Sequence, residues 1–400
     1  MRIFKHIHKP VCWTIATIII FSILAPSSLY AQREIQTIND SWKFRKGECT
    51  AALDSTFKDD EWEDIHLPHT WNTDAYTEKD YYRGTGWYRR QIILPQDWIG
   101  KQVFLKLDAA SKATCIYING KKVGEHTGGY TASTLNITPF LSFNSPNMLV
   151  IRVDNARMDI PPISGDFTFF GGIYRDAWLI AVPSQHFNLT NHGSDGIFIT
   201  TPRVSEQQAT LSIHGEIKND AREKAALELV HSIYHPDGTL LQTQKQFIQL
   251  KAGETRNFDS NISPILQPLL WTPETPYLYR VETTLFNCKT KSIVDQSNHH
   301  TGFRWFHFES NKGFYLNGKP YKLRGICRHQ DQKPIGVALT DEMHRRDMKL
   351  MKEMGANFIR ISHYPQDDAI IEMCDKLGML AWEETVSYTH LRAHETTLHL

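Results

Sequence analysis

The chain has 400 residues, with 44 Lys+Arg balanced by 44 Asp+Glu. That length exceeds one ordinary domain and points to roughly two to four. The even charge excludes a protein organised around nucleic acid or an anionic membrane surface.

Residues 1–31 differ in kind from the rest. Arg2, Lys5 and Lys9 precede an apolar run from Val11 to Leu24, and "APSSLYAQ" follows with small Ala31 at the cleavage position, the layout of a secretory signal peptide. The run falls short of the roughly 20 residues that a membrane-spanning helix needs. The expected protein is therefore periplasmic or secreted, with no membrane span after cleavage. Cys12 leaves with this segment. Cys49, Cys115, Cys288, Cys327 and Cys374 are too scattered for a CxxC pair or a dense disulfide framework. Buried free thiols are expected, with one disulfide left open.

Residues 32–183 read as strands. In "KQVFLKLDAA" Val103, Leu105 and Leu107 alternate with Phe104 and Lys106, a strand with one face buried. Asn119-Gly120 stands between two strand-like runs and predicts a tight hairpin. With "NMLVIRVDN" and "DAWLIAV" the sum is an all-β jelly-roll sandwich. Residues 184–302 give a second β region, with strands in "GIFITT", "ATLSIHGEIKN", "ALELVHSIYH", "TQKQFIQL" and "YLYRVETTLF" at the spacing of an Ig-like β-sandwich.

After Phe303 strands alternate with helices, which predicts βα units around a parallel sheet. "YKLRGICRH", "NFIRISHYP" and "MLAWEE" supply the strands. A helix starts near Thr340 with Met343, Leu350, Met351 and Met354 as its apolar face and stops at Gly355. A second places Ile370, Ile371, Cys374 and Leu377 on one face and stops at Gly378. Residues 303–385 thus read as the first two to three strands of a (β/α)8 TIM barrel, a truncated one. In such barrels the reactive groups sit where strands end. Here the ends carry Arg328, His329 and Asp331, then Arg360, His363 and Tyr364, then Glu383 and Glu384. One such His or Arg alone is more often structural; their recurrence at consecutive strand ends marks a site.

The runs "GFYLNGKPYKLRGICRHQD" and "MKEMGANFIRISHYPQDDAIIEMCDKLGMLAWEE" resemble the start of the catalytic barrel of glycoside hydrolase family 2. "YYRGTGWYRR", "IYINGKKVGEHTGGYT" and "FFGGIYRDAWL" resemble its sugar-binding jelly roll, and "WTPETPYLY" its Ig-like domain. The resemblance implies a retaining mechanism with one Glu as acid/base and a second as nucleophile. It implies that His329 and His363 bond sugar hydroxyls and that Arg360 orients acidic groups of the site. Glu384 reads as a carboxylate supporting the site or a metal region, with a purely structural role as the alternative. Asp166 of "ISGDFTFFGG" matches a jelly-roll aspartate that reaches the sugar's primary hydroxyl and, in some members, binds sodium; its plainer reading is a loop-capping residue. No other cofactor is expected.

Glu383 and Glu384 are not the catalytic pair, because successive strand residues point to opposite faces. The resemblance places that pair on later strands, beyond this chain, so the fragment is expected to be inactive. "RHQD" followed by "PIGVALTDE" looks galactosidase-like, and terminal β-D-galactosides are the expected substrate. A β-glucuronidase or β-mannosidase, or a non-catalytic carbohydrate-binding protein, is the alternative. The tail invites a zinc reading through His390, His394 and His399. "VSYTHLRAHET" instead resembles a translated sequencing adaptor, so residues 386–400 are expected to be non-native.

Overall fold

A computed structural model describes residues 33–163, 165 and 167–384. The readings of the signal peptide, of Asp166 with its cation, and of the histidine-bearing tail lie outside these residues.

Trp42–Lys46, Thr85–Ile92, Asn147–Asp154 and Ala113–Ile118 form the middle of a six-stranded antiparallel sheet, edged by Glu63–Ile65 and Lys121–Thr127. A four-stranded sheet faces it, in the order Glu34–Thr37, Ala177–Val182, Gln102–Leu107, Ser133–Asn136. Trp42, Trp71, Tyr88, Trp98, Ile151 and Val153 fill the space between them. The hairpin at Asn119-Gly120 forms as expected, with φ of 51° and 77°. Both signs match the primed turn that the strand twist requires.

Strand Gln102–Leu107 departs from expectation, because both of its faces are buried. Val103, Leu105 and Leu107 enter the inter-sheet core, while Phe104 packs on Ile180, Val182 and Leu189. Its ring meets His186 edge-on at 5.4 Å. The segment entering the second sandwich covers this outer face, and burying a side chain of that size contributes about 1.5–3 kcal/mol.

The second sandwich pairs Gln208–Asn219 with Gln185–Phe187, Ile197–Thr200 and Thr255–Leu266. Its other sheet runs Leu240–Leu250, Ala225–Tyr234, Tyr279–Asn287, Ile293–Thr301. Strand Thr255–Leu266 escaped sequence reading because only Phe258, Ser260, Ile262 and Ile265 turn inward, in a run otherwise polar and interrupted by Pro264. At the centre of this core His231 Nδ1 meets Thr283 Oγ1 at 3.0 Å and Nε2 meets Ser260 Oγ at 3.1 Å. It ties one sheet to the other, and burial pushes its imidazole down to about 4.

Beyond Phe303, strands Gly325–Arg328, Phe358–Ile361 and Leu380–Glu383 pair in parallel in that order. Helices Asp341–Glu353 and Asp368–Leu377 connect them. Thr340 caps the first, accepting from the Met343 N–H, and Asp367 caps the second, accepting from Ala369 N–H. Gly378, at φ 70°, ends the second helix as expected.

The first helix does not bury the expected face. His344 and Met348 are its buried residues, whereas Leu350 and Met354 are 47% and 78% exposed. The stripe is rotated by one residue because Arg328 reaches beneath the helix and draws His344 to it. The second helix buries Ala369, Ile370, Met373 and Cys374, with Ile371 and Leu377 at the margin. The five described cysteines are free, but only Cys374 is buried. Cys327 is exposed because its strand face carries no covering layer among the described residues.

Candidate active site

The three parallel strands deliver their polar ends to two different faces. Cys327 pairs in register with Arg360, whereas Arg328 pairs with Ile361. Arg360 and Arg328 therefore point to opposite sides of the sheet.

On the open side, Arg360 makes a two-pronged bond to Glu384, Nε to Oε1 at 2.7 Å and Nη2 to Oε2 at 3.1 Å. His363 Nδ1 meets Oε2 of the same carboxylate at 3.0 Å. Although burial opposes it, the bonds from Arg360 and His363 hold the Glu384 carboxyl below the usual range. It is ionised at neutral pH, and an ionised partner at that distance places the imidazole proton on Nδ1 and fixes the ring's orientation. The His329 ring stands edge-on to His363 at 5.4 Å, and its Nδ1 meets the Tyr364 hydroxyl at 3.2 Å. Structure thus brings together four of the expected residues: His329, Arg360, His363 and Glu384. Glu383 points the other way.

The jelly roll supplies the rest of this face. Phe167 lies against His363, with 6.1 Å between centroids and 26° between planes, and packs edge-on to Tyr364 at 5.3 Å. Tyr130 stacks on Tyr364 at 4.5 Å and 9°. The Tyr76 hydroxyl donates to Asp331 Oδ2 at 2.8 Å, and burial together with that carboxylate raises its pKa. Arg175 donates to Gln330 Oε1 at 2.9 Å and to the Pro365 carbonyl at 2.8 Å. Sequence reasoning missed Tyr76, Tyr130, Phe167 and Arg175; the only signal was aromatic density in "GDFTFFGG" and "GGYT".

On the covered side, Arg328 is 5% exposed and holds Asp347 through Nε and Nη2, at 3.1 and 2.6 Å, and Gln366 at 2.7 Å. Its Nη2 lies 3.0 Å from His344 Nδ1. Burial, with Arg328 and Arg175 adding to it, pushes the His344 imidazole down to about 3. Arg328 is therefore a core fixture and not a sugar contact.

Beside the jelly-roll face of the second helix lies a cavity of about 700 Å³ lined by Asp108, Asp176, Asp341, Asp367 and Asp368. Burial, and then the neighbouring carboxylates, push Asp176 up to about 6 despite a bond from Asn39. Asp341 and Asp368 are raised in the same way. Among the described residues no three acids, thiols or imidazoles converge on one point suited to a metal ion.

Fold and site together define a multidomain protein in which parallel strand ends are roofed by a jelly-roll loop. The profile for glycosyl hydrolases family 2, sugar binding domain, matches residues 31–183, that for glycosyl hydrolases family 2 matches 195–304, and that for its TIM barrel domain matches 309–398. The chain belongs to glycosyl hydrolases family 2. It is 77% identical, with a TM-score of 0.88, to Bacteroides uniformis beta-glucuronidase 2 covalently bound to cyclophellitol-6-carboxylate aziridine, over 88% of this chain and 42% of that one. A D341A D367A calcium binding mutant of the Bacteroides uniformis protein aligns over the same shares with a TM-score of 0.85 and 76% identity. A beta-glucuronidase of Bacteroides fragilis is 34% identical over 91% of this chain and 51% of its own length. A beta-galactosidase of Bacteroides ovatus is 30% identical over 90% and 42%. The chain thus spans about half, or less, of the length of these relatives.

Proposed function

We propose that this chain is part of a retaining exo-acting β-glucuronidase, and that its own contribution is to bind and orient the sugar. The observation that carries the reading is the 77% identity to a beta-glucuronidase that is covalently bound to a 6-carboxylate inhibitor. The galactoside expectation, drawn from "RHQD" and "PIGVALTDE", has weaker support, since the beta-galactosidase relative is 30% identical.

In this reading the acid and the nucleophile are supplied by residues outside the chain. Glu384 and Arg360 hold His363 so that it can bond a sugar hydroxyl, and that bond strengthens as charge develops on the ring. His329 bonds a neighbouring hydroxyl, and Phe167 covers an apolar face of the sugar. The test is hydrolysis of nitrophenyl β-glucuronide and nitrophenyl β-galactoside by the full-length protein. A kcat/KM preference for the glucuronide of about 100-fold or more is expected. Equal or reversed preference replaces this reading with the galactosidase one, and no turnover of either favours a binding protein. Export is part of the same proposal, with N-terminal sequencing expected to begin at Gln32.

A calcium site belongs to this reading as well. The Bacteroides uniformis protein has a D341A D367A calcium binding mutant, and this chain carries aspartates at both numbers. Here both line the acidic cavity, whose crowded carboxylates a divalent cation would relieve. Asp341 is engaged by Arg345 at 2.8 Å, so calcium has to displace that guanidinium and take further ligands from backbone oxygens and water. Added calcium is expected to raise the melting temperature, with the shift lost in Asp341→Ala. No shift in the parent chain removes calcium from the proposal.

A further inference from the structure

Phe167 reaches the strand ends on a loop that leaves the jelly roll after Asn155. The exit of this loop is held at Phe169. Asn155 Nδ2 donates to its carbonyl at 3.1 Å, and its N–H donates to the Tyr81 hydroxyl at 3.0 Å. The Arg83 guanidinium lies over its ring at 4.9 Å. At the entry stands Lys112, 3% exposed, whose Nζ donates to the carbonyls of Ile160 at 2.7 Å and Pro162 at 3.2 Å.

The Lys112 backbone is fixed independently of that loop. Its N–H donates to the Asp154 carbonyl at 3.2 Å, and its own carbonyl accepts from Gly128 at 2.9 Å. The side chain is thus a post set in the sheet with two loop carbonyls hung from it. A buried ammonium is costly, and a same-length apolar side chain would fill the space without that cost. What the charge adds is a pair of hydrogen bonds roughly twice as strong as neutral ones.

We propose that Lys112 is a positioning residue whose ammonium pins Ile160 and Pro162, so that Phe167 is held against His363 and the width of the sugar pocket is set from outside it. The kinetic consequence rests on the glycosidase reading; the clamp itself does not. Burial weakens the ammonium most, and Arg83 and Arg157 add to this against Asp154 and Asp159, leaving it at about 8. The clamp is therefore expected to open in mild alkali.

The test is hydrogen exchange on the 400-residue chain, comparing wild type, Lys112→Met and Lys112→Arg at about pH 7 and about pH 9 after correction for intrinsic rates. At the lower pH, exchange in peptides covering 156–163 should rise about tenfold or more in Lys112→Met. Peptides from Asn147–Asp154 should stay unchanged, and Lys112→Arg should keep the loop protected. Wild type should loosen at the higher pH and Lys112→Arg should not. Equal loop protection in all three proteins at both pH values overturns the proposal. If Lys112→Met unfolds the sheet, the wild-type and Lys112→Arg series decides alone, and identical pH behaviour overturns it.

In the full-length protein, Lys112→Met should raise KM for the glucuronide about tenfold with kcat changed less than about threefold, and Lys112→Arg should restore it. A clamp seen by exchange with unchanged KM overturns the link to the sugar pocket. If wild type turns over no glucuronide, the glucuronidase reading has failed and the exchange result still decides the clamp.

Discussion

Two arginines on neighbouring strands meet opposite fates. Arg360 faces the open side with its side chain 42% exposed and joins Glu384 and His363, whereas Arg328 is sealed under the first helix with Asp347, His344 and Gln366. The two differ by one residue of register. Strand parity, and not residue type, divides chemistry from scaffold here, and the two clusters should therefore fail differently when cut.

The largest expected effect is on the open side. In the full-length protein Glu384→Gln or His363→Ala should lower kcat/KM for the glucuronide about 100-fold or more while shifting the melting temperature little, since these groups are partly exposed. Comparable losses in stability and activity would erase the contrast. On the covered side, Arg328→Met should cost about 3 kcal/mol of stability, measured by denaturant melts, because it strips hydrogen bonds from the buried His344 and Gln366 and the ion pair from the part-exposed Asp347. A melt within experimental error of wild type would show that the cluster is not a fixture.

His231 sharpens the comparison by pH. Its folded pKa lies near 4, below the unfolded value near 6.5, so its contribution is complete above pH 6.5 and is lost as pH falls toward 4. Acid should remove up to about 3 kcal/mol through this group, and His231→Gln should flatten that slope. An unchanged slope would assign the loss elsewhere. The smallest effect is expected for Phe167→Ala, a roughly tenfold rise in KM with kcat nearly constant.

Much of the fold was legible because period-two alternation and turn chemistry are local. The Asn119-Gly120 hairpin, both helix stops and the parity of Glu383 against Glu384 needed nothing beyond neighbouring residues. Strand Thr255–Leu266 was hidden by its own polar run and Pro264, whereas two other failures come from contacts made by a different segment of the chain. Phe104 acquired a second buried face from residues near Leu189, and the first helix turned by one position to meet Arg328. In the site, His329 and His363 could be found as strand ends, and the resemblance gave them roles. Phe167, Tyr130 and Arg175 could not, because the barrel residues they touch follow them by 155 to 234 positions.

The second sandwich also touches the ends of both helices. Trp271 Nε1 donates to the Asp375 carbonyl at 2.9 Å, and Lys352 Nζ bridges the carbonyls of Pro273 and Gly378 at 3.0 and 2.9 Å. A Cβ on Gly378 would stand 2.4 Å from the Pro273 oxygen. Chains emerge from the ribosome N-terminus first, so this surface is complete before either helix has been made. Each helix therefore arrives at a finished mould that fixes where it must stop, and the order of synthesis becomes part of how the barrel is started.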